Sequence, residues 1–157
     1  MIPVARISLI LLLAGSCRAA VDPADPLSGI WVLNTARSHY GNGAETRVSE
    51  TMRCTADGEL VACEIASVRV GGRRLNGRFR AAYDGKLYAA SGIPDVDQVT
   101  LWRISDAIVD ATFLYKGRRV LAYRSVQSDD RNTLTIVSVD PETRRILTSV
   151  IVYERRG

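Results

Sequence analysis

From residue 28 onward, apolar and polar positions alternate with a period of two. The alternating runs are short, rich in Val, Ile, Thr and Tyr, and interrupted by turn residues every eight to twelve positions. This pattern predicts strands at about 29–36, 46–56, 60–70, 74–83, 86–90, 98–104, 108–115, 118–127, 133–139 and 146–154. Asp57-Gly58, Gly71-Gly72, Asp84-Gly85 and Lys116-Gly117 are tight-turn dipeptides, because Gly accepts the positive φ that such turns need. Gly41-Asn42-Gly43, Ile93-Pro94-Asp95, Asp129 to Asn132 and Asp140 to Thr143 supply the remaining breaks. No stretch after the first twenty residues keeps an i, i+3, i+4, i+7 pattern beyond two turns, and at most one helical turn fits between Thr35 and Tyr40.

Ten short strands in consecutive hairpins predict an all-β antiparallel up-and-down meander. Closing it into a barrel removes both exposed edges. A Greek-key sandwich is the other all-β arrangement. It needs long crossovers, and only the lead-in and the 91–97 loop are long enough.

One hairpin tests the facing. A three-residue loop Tyr115-Lys116-Gly117 would pair Phe113 with Arg119, Ala111 with Leu121 and Val109 with Tyr123. Val109, Ala111, Phe113, Leu121 and Tyr123 then share the inner face. Asp110, Thr112, Ala122 and Arg124 share the outer one, with Asp110 and Arg124 close enough to pair.

The first twenty residues do not fit this pattern. Arg6, an apolar run Ile7 to Leu13, the small residues Ala14, Gly15 and Ser16, and then Cys17, Arg18, Ala19 and Ala20 read as a signal peptide, too short to span a bilayer. Cleavage after Ala19 or Ala20 predicts a periplasmic or secreted protein. The alternative is an outer-membrane lipoprotein anchored through Cys17, although Leu13-Ala14-Gly15-Ser16-Cys17 has one residue more than the usual lipidation motif. The expected organisation is a signal peptide at 1–20, a flexible Pro- and Asp-rich lead-in at 21–27, and one β-barrel domain at 28–157.

The whole chain has 21 basic and 17 acidic residues. Removing the signal removes Arg6 and Arg18 and leaves a small positive excess, which with export argues against nucleic acid as a partner. Cys54 and Cys63 flank Asp57-Gly58. An even-numbered loop, either Gly58-Glu59 or Asp57 to Leu60, places the two cysteines opposite each other and predicts a cross-strand disulfide. Such a bridge suits an oxidising compartment.

Ser28-Gly29-Ile30-Trp31-Val32-Leu33-Asn34 carries Gly-x-Trp at the start of the first strand. This resembles the lipocalins, in which that Trp closes the narrow end of the barrel. Asn34, Ala36 and Ser38, together with Ala82-Tyr83-Asp84-Gly85-Lys86 and Gly92-x-Pro94-Asp95, also resemble small secreted bacterial lipocalin-like (calycin-type) proteins of largely unknown function. The resemblance implies a lipocalin-like barrel in which Gly29 and Trp31 are structural. It also implies that an Arg near the chain end, Arg155 or Arg156, stacks on Trp31; solvated terminal arginines are the alternative. The later lipocalin motifs and the terminal helix are not legible.

Candidate chemistry is sparse. The single His39 has no second His and no recognisable carboxylate to orient it, so a loop residue is expected; a haem-binding barrel could use it as an axial ligand. No catalytic, nucleotide-binding or metal-binding motif is present, and no cofactor is expected. The acids sit mainly at turns, where turn chemistry explains them. Inward candidates for a ligand are Trp102, Phe113, Tyr123, Tyr83 and Tyr153. Arg69, Arg73, Arg74, Arg78 and Arg80 form a basic run that reads as an anion patch or as a solvated hairpin, with Phe79 on the face opposite Arg78 and Arg80.

The expected function is an exported barrel that binds or carries a small apolar molecule in the cell envelope. The alternative is an envelope protein-binding module, an inhibitor or assembly accessory, with a filled barrel and the Arg69–Arg80 hairpin and lead-in as its surface. A membrane partner is expected only if Cys17 is lipidated.

Overall fold

A computed structural model of the chain describes residues 25–41, 45–143 and 145–157. The signal peptide, Cys17, the first part of the lead-in and the Asn42-Gly43 turn lie outside the described residues. Ten strands follow one another: β1 (Gly29–Leu33), β2 (Arg47–Ala56), β3 (Leu60–Arg69), β4 (Arg74–Ala82), β5 (Tyr88–Ser91), β6 (Gln98–Arg103), β7 (Ile108–Tyr115), β8 (Arg118–Gln127), β9 (Thr133–Val139) and β10 (Ile146–Arg155). Each pairs antiparallel with the next, and β1 pairs with β10, so the meander closes into a barrel. Residues 35–37 form a turn rather than a helix.

The alternation seen in the sequence becomes an inside and an outside. Along β3 and β4, Val61, Cys63, Leu75, Phe79 and Ala81 are buried while Glu64, Arg74, Arg78 and Arg80 are exposed. Cys54 and Cys63 are directly opposed on β2 and β3 and are bridged, with both sulfurs inside the barrel. Asp57 fixes that hairpin by accepting the amides of Leu60 and Glu59 at 2.8 and 3.2 Å.

The β7–β8 hairpin differs from the expected register. Its turn is the two-residue Lys116-Gly117, both at positive φ, with Tyr115 opposite Arg118. Val120 then bulges, so Phe113 faces Leu121 and Ala111 faces Tyr123. The expected pairing was off by two residues, an even number, so the faces survived. Asp110 and Arg124 are Cα partners joined by two hydrogen bonds at 2.8 and 2.9 Å.

One end of the barrel is sealed. Trp31 is fully buried, and its indole Nε1 donates to the Leu27 carbonyl at 2.8 Å. The Arg155 guanidinium lies over its ring at 4.4 Å from the centroid. Asp25 to Leu27, expected to belong to a flexible lead-in, are buried across this end. Their anchor is the Asp25 carboxylate, which accepts the Leu27 amide at 2.9 Å and the Tyr83 hydroxyl at 2.8 Å and pairs with Arg103 at 3.2 Å. Burying a carboxylate is costly unless it is hydrogen-bonded and paired, and here it is both.

Candidate functional site

The opposite end is open, and three backbone irregularities occur there. Val48 is an extra residue on β2, Val120 is an extra residue on β8, and residues 147–149 of β10 face Ser138 alone. Bulges increase local twist and bend the strand that carries them. They leave Val48, Val120, Leu121, Ile146 and Leu147 exposed around the mouth.

Behind the mouth lies a cleft of about 620 Å³, with Leu75, Ile93 and Leu121 on its walls and Arg47 and Arg69 at its inner limit. Beside it a small space among Arg47, Glu50, Arg69 and Tyr123, the neck, adjoins an apolar chamber of about 80 Å³ in the barrel interior, with which it shares Arg47, Glu50, Phe113 and Tyr123 as lining. Phe79, Phe113 and Tyr123 line that chamber as a chain of edge-on rings, with centroids 5.9 and 6.0 Å apart. Leu27, from the seal, lines it too.

The neck is charged. Arg47 Nε lies 3.1 Å from Glu50 Oε2, and Arg69 NH2 lies 3.6 Å from the same oxygen. The Tyr153 hydroxyl donates to Glu50 Oε1 and accepts from Arg47 at 3.3 Å. Burial pushes the Tyr153 hydroxyl well above its ordinary value, against the pull of Arg47, so it remains a neutral donor. Burial works to lower the Arg47 guanidinium, but the phenol and carboxyl groups packed around it, Tyr153, Glu50, Tyr123 and Tyr40, together hold it above its ordinary value. Glu45, at the rim, is bonded to Arg73 and lies 3.8 Å from Arg69.

Three of the five expected ligand residues, Phe113, Tyr123 and Tyr153, line the chamber. Tyr83 does not; it belongs to the Asp25 cluster at the sealed end. Trp102 is on the outer wall and 55% exposed, because its neighbour Leu101 takes the inward position. The basic run also divides. Arg69 turns into the neck, Arg73 sits at the rim, and Arg74, Arg78 and Arg80 lie on the outer face, where Arg80 pairs with Asp57.

Arg47 and Glu50 were missed in the sequence. Glu50 has the parity of Met52, Cys54 and Ala56, so its inward position could have been read. Arg47 has the other parity and reaches the interior only through the Val48 bulge. His39 is an exposed loop residue whose backbone pairs with Val150. Among the described residues no cluster of His, Cys, Asp or Glu is placed to hold a metal.

The fold and its cavity define a closed antiparallel β-barrel, sealed at one end and open at the other. No protein-family model, curated protein or solved structure matches the chain.

Proposed function

We propose that this protein is an exported lipocalin-like barrel that binds or carries a small apolar molecule in the cell envelope. The observation that carries this reading is the succession of adjoining spaces from the cleft at the open mouth to an apolar chamber lined by aromatic rings. A cleft of about 620 Å³ falls within the ~300–1,000 Å³ usual for small-molecule sites. Gly29 and Trp31 support the lipocalin-like assignment, with Arg155 stacked on Trp31. The internal disulfide is compatible with an oxidising periplasmic or extracellular location.

The surface required by the protein-binding alternative is divided, since Arg69 is buried and Asp25 to Leu27 are part of the seal. The test is native mass spectrometry of protein purified from its own host. A retained small molecule released on denaturation is the expected result. A bare barrel that co-purifies with a stoichiometric protein would overturn it.

A further inference from the structure

Arg47 and Arg69 are Cα partners across β2 and β3, and both side chains turn into the neck. Like charges directly opposite on a sheet destabilise it, and inside a barrel water screens them poorly. Their side chains are only 12% and 10% exposed. The compensation is incomplete. Three guanidinium groups, Arg47, Arg69 and Arg73, share the carboxylates of Glu45 and Glu50, so the group carries one positive charge more than negative. The Nε atoms of Arg47 and Arg69 and the Oε2 atom of Glu50 are all buried without a hydrogen bond, although each Nε lies within 4 Å of a carboxylate oxygen, so two unpaired donors face one unpaired acceptor. Buried donors of this kind are rare and costly.

From this geometry, and resting on the small-molecule reading above, we infer that the neck is a site for one monoanionic head group, a carboxylate or its chemical equivalent. The ligand is then a compact amphiphilic acid. Its head lies on the cleft side of Arg47 and Arg69, which line the cleft where Glu50 does not, and its apolar part lies along Leu75, Ile93 and Leu121 in the cleft. One negative charge balances the neck, and a planar carboxylate matches the guanidinium fork. A dianion would overcompensate. Glu50 stays tied to Tyr153 and holds Arg47 in place.

The test compares decanoate with decanol on the delipidated secreted protein by isothermal titration calorimetry. The two share a chain and differ in head charge. Decanoate is expected to bind at least about tenfold more tightly, as a charge-assisted pair would give. Arg69→Gln leaves Arg47 to pair with Glu50. It is expected to abolish that preference, read as the ratio of decanoate to decanol affinity on the folded variant; Arg69→Lys is expected to restore part of it. Equal binding of the two probes to the wild type would overturn the head-group site and leave the small-molecule reading standing. Binding of neither would overturn both. If Arg69→Gln fails to fold, the wild-type ratio still decides. A folded Arg69→Gln protein with an unchanged ratio would place the acid elsewhere and overturn the inference.

Discussion

Arg155 stacks on Trp31 beside a residue that has no side chain: a Cβ on Gly29 would stand 2.4 Å from an Arg155 guanidinium nitrogen and would displace it. The Gly-x-Trp spacing therefore has a steric cause. Gly29, at φ 140°, leaves room for the guanidinium, and Trp31, two residues on, presents the ring beneath it. The Arg155 Nε donates to the Arg131 carbonyl at 2.7 Å, which fixes the stack from the other side.

Trp31→Ala removes the largest fully buried side chain and opens the sealed end. Its expected cost is about 3–5 kcal/mol, against about 0.5–2 kcal/mol for Arg155→Ala, which loses the cation–π contact. Urea unfolding of both variants measures this. A near-wild-type Trp31→Ala protein would remove the ring from its sealing role.

Cys54 and Cys63 are expected to resist thiol labelling in the unreduced, denatured secreted form. The loop they close is short. Replacing both with Ala is therefore expected to cost toward the low end of about 2–4 kcal/mol. Two labelled thiols would contradict the bridge.

Trp102 covers Gly85, where a Cβ would meet the indole at 1.9 Å and where φ is +71°. Gly85→Ala is expected to destabilise by about 1–3 kcal/mol through strain and clash together. Combined with Trp102→Ala, the clash disappears and only the backbone strain remains, so the two changes should be less than additive. Trp102→Ala alone should leave ligand affinity unchanged, because the ring stands outside the barrel. A double-mutant cycle in urea, with binding measured in parallel, checks both points.

Acid should weaken the fold through its turns. Asp57 and Asp140 are held below their ordinary value near 3.8 chiefly by the backbone amides of Leu60 and Thr143. Asp130 is held down first by the Ser128 hydroxyl, and Asp84 by the Lys86 amide. A carboxylate with a depressed folded pKa contributes stability above its unfolded pKa and loses it as pH falls through the folded one. The urea midpoint should therefore hold steady down to about pH 5 and then fall, and Asp57→Asn with Asp140→Asn should flatten that fall. A midpoint that rises below pH 4 would refute the sign.

The strand order and the disulfide could be read from the chain because both depend on local information. Alternation sets which residues share a face, and turn dipeptides set where strands reverse. Parity alone places Phe113, Tyr123, Tyr153, Glu50 and Arg69 inside. Trp102, expected inward as a ring on the mid-chain strand 98–104, stands outside, as the parity of Val99 and Leu101 on that strand requires.

Three things were decided only by the closed barrel. The bulges at Val48, at Val120 and in β10 depend on hydrogen bonds with neighbouring strands, and a local pattern has no record of an extra residue. The seal depends on closure, since Asp25 meets Tyr83 and Arg103 only once β4 and β6 are in place. The charged neck depends on both. Sequence parity brings Arg69 and Glu50 inward, but Arg47 joins them only because one bulged valine reverses its side, and that reversal sets two buried guanidinium groups against a single carboxylate.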